Sequence, residues 1–297
     1  MTYHYGPMLG ERAGLRVIDC KRCGWAHLDK LPDPADMDAF YRNEFWQHEK
    51  AGALSRFERQ RDWWRAIHGD WLELLGRHIV GDGQRLLDVG AGYGFFLRDA
   101  QEAGLDVFGL EPNRDALEYA SANVKGGLSR VRPVTWEETY NYYGILVHCL
   151  SALWVIEHLR DPLAFLRWAH DEIMRDGLLL IVAPYDFSPA QAEATSKVKV
   201  PNWCIHHTHL NYFTPVTLAN LLGRAGFRVV EQTTLYPMEH FLVDGMDYTA
   251  DDALGAELHR QVEEADLELS RDERIRQYAD IARRGSGREI VFVGVRE

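Results

Sequence analysis

The stretch Leu86–Leu97 constrains the fold of this chain more than any other segment. An apolar run ends there in Asp88, and Gly90, Gly92 and Gly94 follow before a helical pattern begins. Glycine permits a tight turn and lets a ligand lie against the backbone, because no Cβ blocks the approach. The segment therefore predicts a strand, a ligand-binding turn and a helix, which together open an α/β fold.

A carboxylate at the end of the next predicted strand extends this unit. The run Asp106–Leu110 is followed by Glu111, 23 residues after Asp88. At the end of a neighbouring strand, a carboxylate can accept hydrogen bonds from both ribose hydroxyls of a nucleoside. The dinucleotide fingerprint requires Gly-x-Gly-x-x-Gly, whereas position 95 is Phe. A nucleoside site is predicted; a glycine turn that only shapes the joint and a solvated acid remain the alternatives.

From Arg85 to about Tyr236 the chain alternates short apolar runs with helical patterns, which is typical of βαβ units around a mostly parallel sheet. Strands are predicted at Arg85–Val89, Asp106–Leu110, Arg130–Val134, Gly144–Leu150, Gly177–Ala183 and Arg228–Thr234. The predicted units are an N-terminal cap segment with helices (1–80), the α/β core (81–235), a helical insertion or lid (236–288) and a final antiparallel strand (289–297). An amphipathic helix is predicted from about Ser55 to Ile79.

These segments resemble motif I and the acidic loop of class I S-adenosylmethionine (SAM)-dependent methyltransferases, over roughly residues 85–235. The resemblance implies a Rossmann-like sheet that binds SAM and an enzyme that methylates a small molecule, with a sugar or a natural-product intermediate among the candidates. The positions that it places at the cofactor are Asp88, Gly90, Ala91, Gly92, Tyr93, Gly94, Glu111, Pro112, Thr135, Trp136, Ser151 and Leu153.

Three histidines and several aromatic residues are concentrated in Trp203–Phe213. This stretch resembles the H-x-x-YF segment of sugar and natural-product methyltransferases, in which a His or Tyr can abstract a proton. Histidine suits general-base work near neutral pH. By resemblance His209 is the first catalytic candidate, followed by His207 and Tyr212. The alternatives are a pocket floor without a base, and metal ligation by His206 with its two neighbouring histidines.

The segment Trp154–Pro162 follows the fourth predicted strand and resembles the "EH…DP" segment of small-molecule methyltransferases. It contains Glu157 and His158. An acid and a histidine at this position can act in catalysis, but the same residues also cap a helix well. Both interpretations stay open.

The pair Cys20 and Cys23 resembles one knuckle of a zinc ribbon found at the N-terminus of some such methyltransferases. The other Cys-x-x-Cys is absent, because residues 1–16 contain no cysteine. A structural zinc ion normally takes four ligands, so His4 and His27 would have to replace the missing pair. We therefore expect a metal-free remnant of the ribbon and predict no metal site.

Charge and hydropathy limit the classes of binding partner expected for this chain. The formal net charge of −12 disfavours nucleic acid and membrane surfaces as partners. No apolar run reaches about 18 residues, no signal-peptide pattern is visible, and four cysteines do not make a disulfide framework. We expect a cytoplasmic enzyme with a small-molecule substrate and leave its oligomeric state open. The competing hypotheses are a non-catalytic SAM- or nucleotide-binding module that acts through protein partners and, less favoured, a nicotinamide dehydrogenase.

Overall fold

The computed structural model describes residues 4–45, 52–79, 84–139, 144–200 and 202–297. The strands are β1 Met8–Arg12, β2 Leu15–Cys20, β3 Trp25–Leu28, β4 Arg85–Val89, β5 Asp106–Leu110, β6 Val131–Arg132, β7 Val147–Leu153, β8 Ile173–Pro184, β9 Asn211–Tyr212, β10 Phe227–Thr233 and β11 Glu289–Arg296. The α-helices are α1 Pro34–Asn43, α2 Ala53–Arg59, α3 Arg61–Gly76, α4 Phe95–Glu102, α5 Arg114–Asn123, α6 Pro162–Glu172, α7 Pro189–Ala194, α8 Pro215–Arg224, α9 Glu239–Val243, α10 Asp252–Glu268 and α11 Arg271–Arg283.

The central sheet of the described chain has seven strands in the order β10-β11-β8-β7-β4-β5-β6. The pairs from β8 to β6 are parallel, whereas β11 runs antiparallel to both β8 and β10. The predicted Rossmann-like, mostly parallel sheet with an antiparallel final strand is therefore confirmed. Strand lengths differ from the prediction, since β6 covers two residues and β8 begins at Ile173.

Each face of this sheet carries its own apolar core, because its central strands are buried on both sides. On one face α6 and α8 pack on the sheet, and on the other α3 does so with Trp63, Ile67 and Trp71. The prediction of one continuous helix over 55–79 is wrong in one respect, because the structure divides this segment into α2 and α3 at Gln60. That residue leaves helical geometry with φ −91° and ψ 14°, and its side-chain amide donates to Glu263 of α10 at 2.5 Å.

A second, smaller sheet was not expected. It has the order β1-β2-β3-β9, all antiparallel, and its last strand comes from the middle of the chain. Its buried core consists of Val17, Leu28, Ile205, Leu210 and Tyr212. The N-terminal segment is thus hydrogen-bonded to the histidine-rich stretch that follows β8.

The C-terminal helices pack against α3. Arg274 of α11 donates two hydrogen bonds, of 2.6 and 2.7 Å, to the buried carboxylate of Asp70. The indole of Trp63 donates to Asp266 of α10 at 2.7 Å. By contrast α9 contacts α7 near the carboxyl ends of the parallel strands. The proposed division of the chain at residues 80, 235 and 288 remains a prediction. None of the helices among the described residues has the length and apolar character to cross a bilayer.

Candidate cofactor and acceptor site

The turn after β4 lies against the end of β5. The amides of Gly90 and Ala91 both donate to the Leu110 carbonyl, at 2.8 and 3.0 Å. Gly90 has φ +72°, and a Cβ built there would lie 2.6 Å from the Val155 side chain in the loop after β7. Only glycine combines this left-handed backbone with so close a neighbour. The turn and the loop after β7 therefore meet at the carboxyl edge of the sheet.

Glu111 joins the end of β5 to the glycine turn. Its Oε2 accepts a hydrogen bond from the Gly92 amide at 2.8 Å, and its Oε1 accepts one from the Asn113 amide at 2.9 Å. The side chain is 4% exposed. Each carboxylate oxygen has more than one acceptor direction, so both oxygens can still receive ribose hydroxyls. The turn and this acid fit an adenosyl group.

Asp88 lies beneath the same turn, paired across the sheet with Ser151 on β7. The Ser151 hydroxyl donates to Asp88 Oδ1 at 2.7 Å. Burial, reinforced by the nearby Glu111 carboxylate, raises the pKa of Asp88 to about 7 despite that hydrogen bond. A positive charge beside the turn would favour the ionised carboxylate, and the sulfonium of SAM is such a charge.

Thr135 and Trp136, two of the cofactor positions that the resemblance implies, follow β6. Trp136 packs its ring 5.6 Å from Phe165 and 5.9 Å from Trp168, while Thr135 caps the short 3₁₀ turn Trp136–Glu138. The other cofactor candidates lie along the same edge: Tyr93 packs 5.5 Å from Tyr119, and Leu153 ends β7. Their contacts to the cofactor, like that of Pro112, stay predictions.

Helix α1 lies over this part of the edge. Asn113, which caps α5, donates its side-chain amide to the carbonyls of Tyr41 and Arg42 at 3.3 and 3.0 Å. Arg42 also pairs with Glu138 at 2.8 Å. The end of α1 therefore bridges the segments after β5 and β6, next to Glu111.

His209 occupies the neighbouring part of the edge, after β8. Its Nδ1 lies 3.5 Å from Asp186 Oδ2, and its ring is centred 5.1 Å from the ring of His158. The Leu210 amide donates to the Glu157 carbonyl at 2.8 Å, which ties the histidine loop to the loop after β7. His209 is partly exposed, as a base that meets a substrate must be.

The other two catalytic candidates have different surroundings. Tyr212 is buried, and its hydroxyl hydrogen-bonds to the backbone of His206 at 3.3 and 3.4 Å. Burial raises the pKa of this phenol, which makes proton abstraction by it harder. His207 is exposed, with its ring 5.8 Å from Phe40 of α1. Catalysis by these residues remains a prediction, and the geometry ranks His209 first.

A group of acids beside His209 escaped the sequence analysis. Asp186 and Glu239 both accept hydrogen bonds from the side-chain amide of Gln191, and Arg288 donates to Glu239 at 3.1 Å. Burial, together with the Asp186 and Glu157 carboxylates, raises the pKa of Glu289 to about 8. The available signal was position: Asp186 follows β8 and Glu289 opens β11, both at the same edge.

Two sets of metal-ligating side chains converge within the described residues. Glu157, His158 and His209 form one set, and His4, Cys20, Cys23 and His27 form the other; in each the ligand atoms lie within 4.8 Å of one another. His206 instead directs its Nδ1 to the Thr208 hydroxyl at 2.8 Å. The second set unites the four residues that the sequence analysis considered and set aside.

Comparison with known proteins places this geometry in a family. The sequence profile of the methyltransferase domain matches residues 57–232. A ubiquinone biosynthesis O-methyltransferase from Ruegeria pomeroyi is 30% identical over 174 residues, which are 57% of this chain and 69% of the relative. The corresponding enzyme from Azorhizobium caulinodans is 28% identical over 177 residues, 54% of this chain and 68% of the relative.

Solved structures show the same fold. The methyltransferase bound to the Trm112 activator from Haloferax volcanii superposes with a TM-score of 0.52 at 16% identity, covering 90% of this chain and 99% of that one. A SAM-dependent methyltransferase from Archaeoglobus fulgidus gives 0.50 at 18% identity, covering 78% and 94%.

The fold and the glycine turn with its acid define a class I methyltransferase. The chain belongs to the methyltransferase domain family, and its cofactor is SAM.

Proposed function

We propose that this enzyme methylates a hydroxyl oxygen of a small, hydroxylated molecule, and that His209 is its general base. One observation carries the proposal: His209 and Asp186 lie at the same sheet edge as Gly90 and Glu111, separated from them by the loop after β7. The names of the relatives from Ruegeria pomeroyi and Azorhizobium caulinodans support oxygen as the methylated atom.

The cofactor side rests on Glu111 and the glycine turn. Glu111 would accept the ribose hydroxyls, and the absence of a Cβ at Gly92 would leave room for the methionyl part. Ionised Asp88 would lie toward the positive end of the cofactor. When bound, SAM supplies an electrophilic methyl group on a sulfonium.

The acceptor side rests on His209. Asp186 approaches Nδ1, so Nε2 is the nitrogen that would take the proton of the acceptor hydroxyl. The oxygen would form its bond to the methyl carbon as the carbon–sulfur bond breaks, and Asp186 would stabilise the imidazolium that results. Alignment of the two reactants accounts for most of the acceleration in such reactions, with effective molarities of about 10⁵–10⁸ M.

The acids around His209 indicate the acceptor class. Glu289, with a pKa of about 8, is largely protonated at neutral pH and can donate to a ligand hydroxyl. Glu239 is 1% exposed, and its Oε2 atom is buried with no hydrogen-bond partner among the described residues. Buried acceptor atoms of this kind require donors, and a ligand can provide them. A molecule with several hydroxyls, such as a sugar or a hydroxylated natural-product intermediate, meets that requirement.

Transfer of a labelled methyl group tests the proposal. Wild-type enzyme with labelled SAM is offered a panel of polyols, sugars and phenols, and calorimetry measures the binding of SAM, S-adenosylhomocysteine and NADH. We expect SAM and S-adenosylhomocysteine to bind and NADH not to bind. The labelled methyl group should be found bonded to an oxygen of the acceptor, as a methyl ether. The Glu239→Gln and Glu289→Gln variants should raise the KM of the accepted compound while the SAM dissociation constant changes less than about twofold.

Glu137→Gln, an exposed acid after β6, is the matched control and should change neither constant. SAM binding with label only on nitrogen or carbon would overturn oxygen methylation. If the His209→Gln variant binds SAM and turns over as fast as wild type, His209 is not the general base. An enzyme that binds SAM but transfers no methyl group to any member of the panel would favour the binding-module hypothesis.

A further inference from the structure

Four metal-ligating side chains meet at one end of the small sheet. Cys20 ends β2, Cys23 lies in the turn that follows, His27 is on β3, and His4 comes from the segment before β1. Backbone hydrogen bonds hold that segment in place, from Asp19 to the Pro7 carbonyl at 2.9 Å and from Lys21 to the Tyr5 carbonyl at 3.0 Å.

We propose that His4, Cys20, Cys23 and His27 bind a structural zinc ion. The proposal is independent of the reaction assigned to the enzyme, and it replaces the expectation of a metal-free remnant. Two thiolates and two neutral imidazoles are an established zinc donor set, with Zn–S of about 2.3 Å and Zn–N of about 2.0–2.1 Å. The resulting centre carries no net charge, which suits a site where Cys20 is fully buried.

The distances between the ligand atoms match a tetrahedron of that size. Those bond lengths require edges of about 3.3 Å between two nitrogens and about 3.6 Å between nitrogen and sulfur. His4 Nδ1 lies 3.1 Å from His27 Nε2, 3.6 Å from Cys20 Sγ and 3.4 Å from Cys23 Sγ. The three measured edges are within about 0.2 Å of the expected ones.

The hydrogen bonding of the histidines also favours a cation. His27 Nδ1 lies 2.7 Å from the Leu28 carbonyl, so this nitrogen carries the proton and Nε2 presents a lone pair to the cluster. A backbone carbonyl that fixes the tautomer in this way is the usual outer partner of a metal-bound histidine. His4 Nδ1 faces three ligand atoms, and a single N–H cannot be directed at all three. A metal ion at the centre binds all four.

The small sheet gives this ion a structural role. Its buried core has five residues, which is little apolar area for an independent sheet, and small cores are commonly stabilised by a metal. His27 pairs with Asn211 of β9, two residues after His209, and Trp25 donates to the Asn211 side chain at 2.9 Å. Zinc at β2 and β3 would therefore also hold the strand that follows the proposed base.

Metal analysis of the full chain, purified without a histidine tag or chelator, tests the proposal. We expect about one zinc ion per wild-type chain and less than about a tenth of that in the Cys20→Ser/Cys23→Ser variant. Cys204→Ser is the matched control, since this partly buried thiol lies outside the cluster, and it should keep the zinc.

Wild-type protein supplies a second test that does not depend on the folding of a variant. Replacement of zinc by cobalt should produce the thiolate charge-transfer and visible bands of a tetrahedral site, and chelation should expose two further thiols to a thiol reagent. A wild-type chain without zinc that also fails to give the cobalt spectrum would overturn the proposal. So would zinc that persists in the double cysteine variant. Neither outcome bears on methyl transfer.

Discussion

The candidate site at the carboxyl edge of the sheet has a cofactor half and an acceptor half, and the two are built in different ways. The cofactor half consists of Asp88, Glu111 and the glycine turn between them, all from one βαβ unit, and backbone amides near the turn donate to the Glu111 carboxylate and the Leu110 carbonyl. The acceptor half combines His209 and Asp186 with Glu289, which come from three separate stretches of the chain.

This difference bears on how each half tolerates change. In the cofactor half Glu111 accepts a hydrogen bond from the glycine turn and is also the proposed ribose ligand, so one residue stabilises the turn and binds the cofactor. In the acceptor half each side chain comes from a different segment, and none of them closes the glycine turn. We therefore expect substitutions in the first half to abolish cofactor binding and substitutions in the second to slow turnover selectively.

The largest effect should come from Glu111→Ala. It removes two charge-assisted hydrogen bonds to the ligand, each worth about 1.5–3 kcal/mol, so SAM affinity should fall by about 10³-fold or more. Calorimetry with SAM measures the loss. Glu118→Ala, an exposed acid on α5, is the control and should leave the affinity unchanged. An affinity within tenfold of wild type would show that the halves do not differ as described.

A smaller and more selective effect is expected from His209→Gln. Loss of the base should lower kcat by about 10²-fold, because general-base catalysis contributes on that order. The SAM dissociation constant should change less than about twofold. His207→Gln is the matched comparison, since its ring is exposed and packs 5.8 Å from Phe40 of α1, and it should retain most of the turnover. Equal losses in both variants would contradict the ranking of the two histidines.

The smallest effect concerns the pH dependence of stability in the cofactor half. The pKa of Asp88 is about 7 in the folded chain, above its unfolded value of 3.8. A raised folded pKa means that the folded state binds the proton more tightly, so the stabilisation is complete below pH 3.8 and is lost as the pH rises through 7. Between pH 5 and 8 the free energy of unfolding should fall by on the order of 2 kcal/mol more in wild type than in Asp88→Asn.

Urea unfolding of both proteins at the two pH values, without SAM, measures this difference. Because other acids such as Glu289 titrate in the same window, the comparison between wild type and variant isolates Asp88. If the free energy of unfolding changes equally with pH in the two proteins, Asp88 does not titrate in this range. The raised pKa assigned to Asp88 in the cofactor half would then be wrong.

The contrast between the halves is also a contrast in what could be predicted. Asp88, Gly90 and Glu111 were found because hydrophobic periodicity places the strand ends, and the carboxyl ends of parallel strands lie at one edge. Asp186 and Glu289 were missed because each is an ordinary acid in its local sequence. The break at Gln60 was missed because the local sequence keeps its helical periodicity there, and the contact of Gln60 with α10 joins residues far apart in the chain.

The amino-acid sequence alone determined the sheet, its glycine turn and the acid beside it, since these depend on short-range periodicity and on backbone conformations that only glycine adopts easily. Only the tertiary structure brought β9 beside β3, His4 beside the two cysteines, and His209 beside Asp186. Such contacts join residues far apart in the chain, and no local pattern encodes which partner a short polar strand will choose. Their free energy comes from packing and pairing that exist only once the chain has folded.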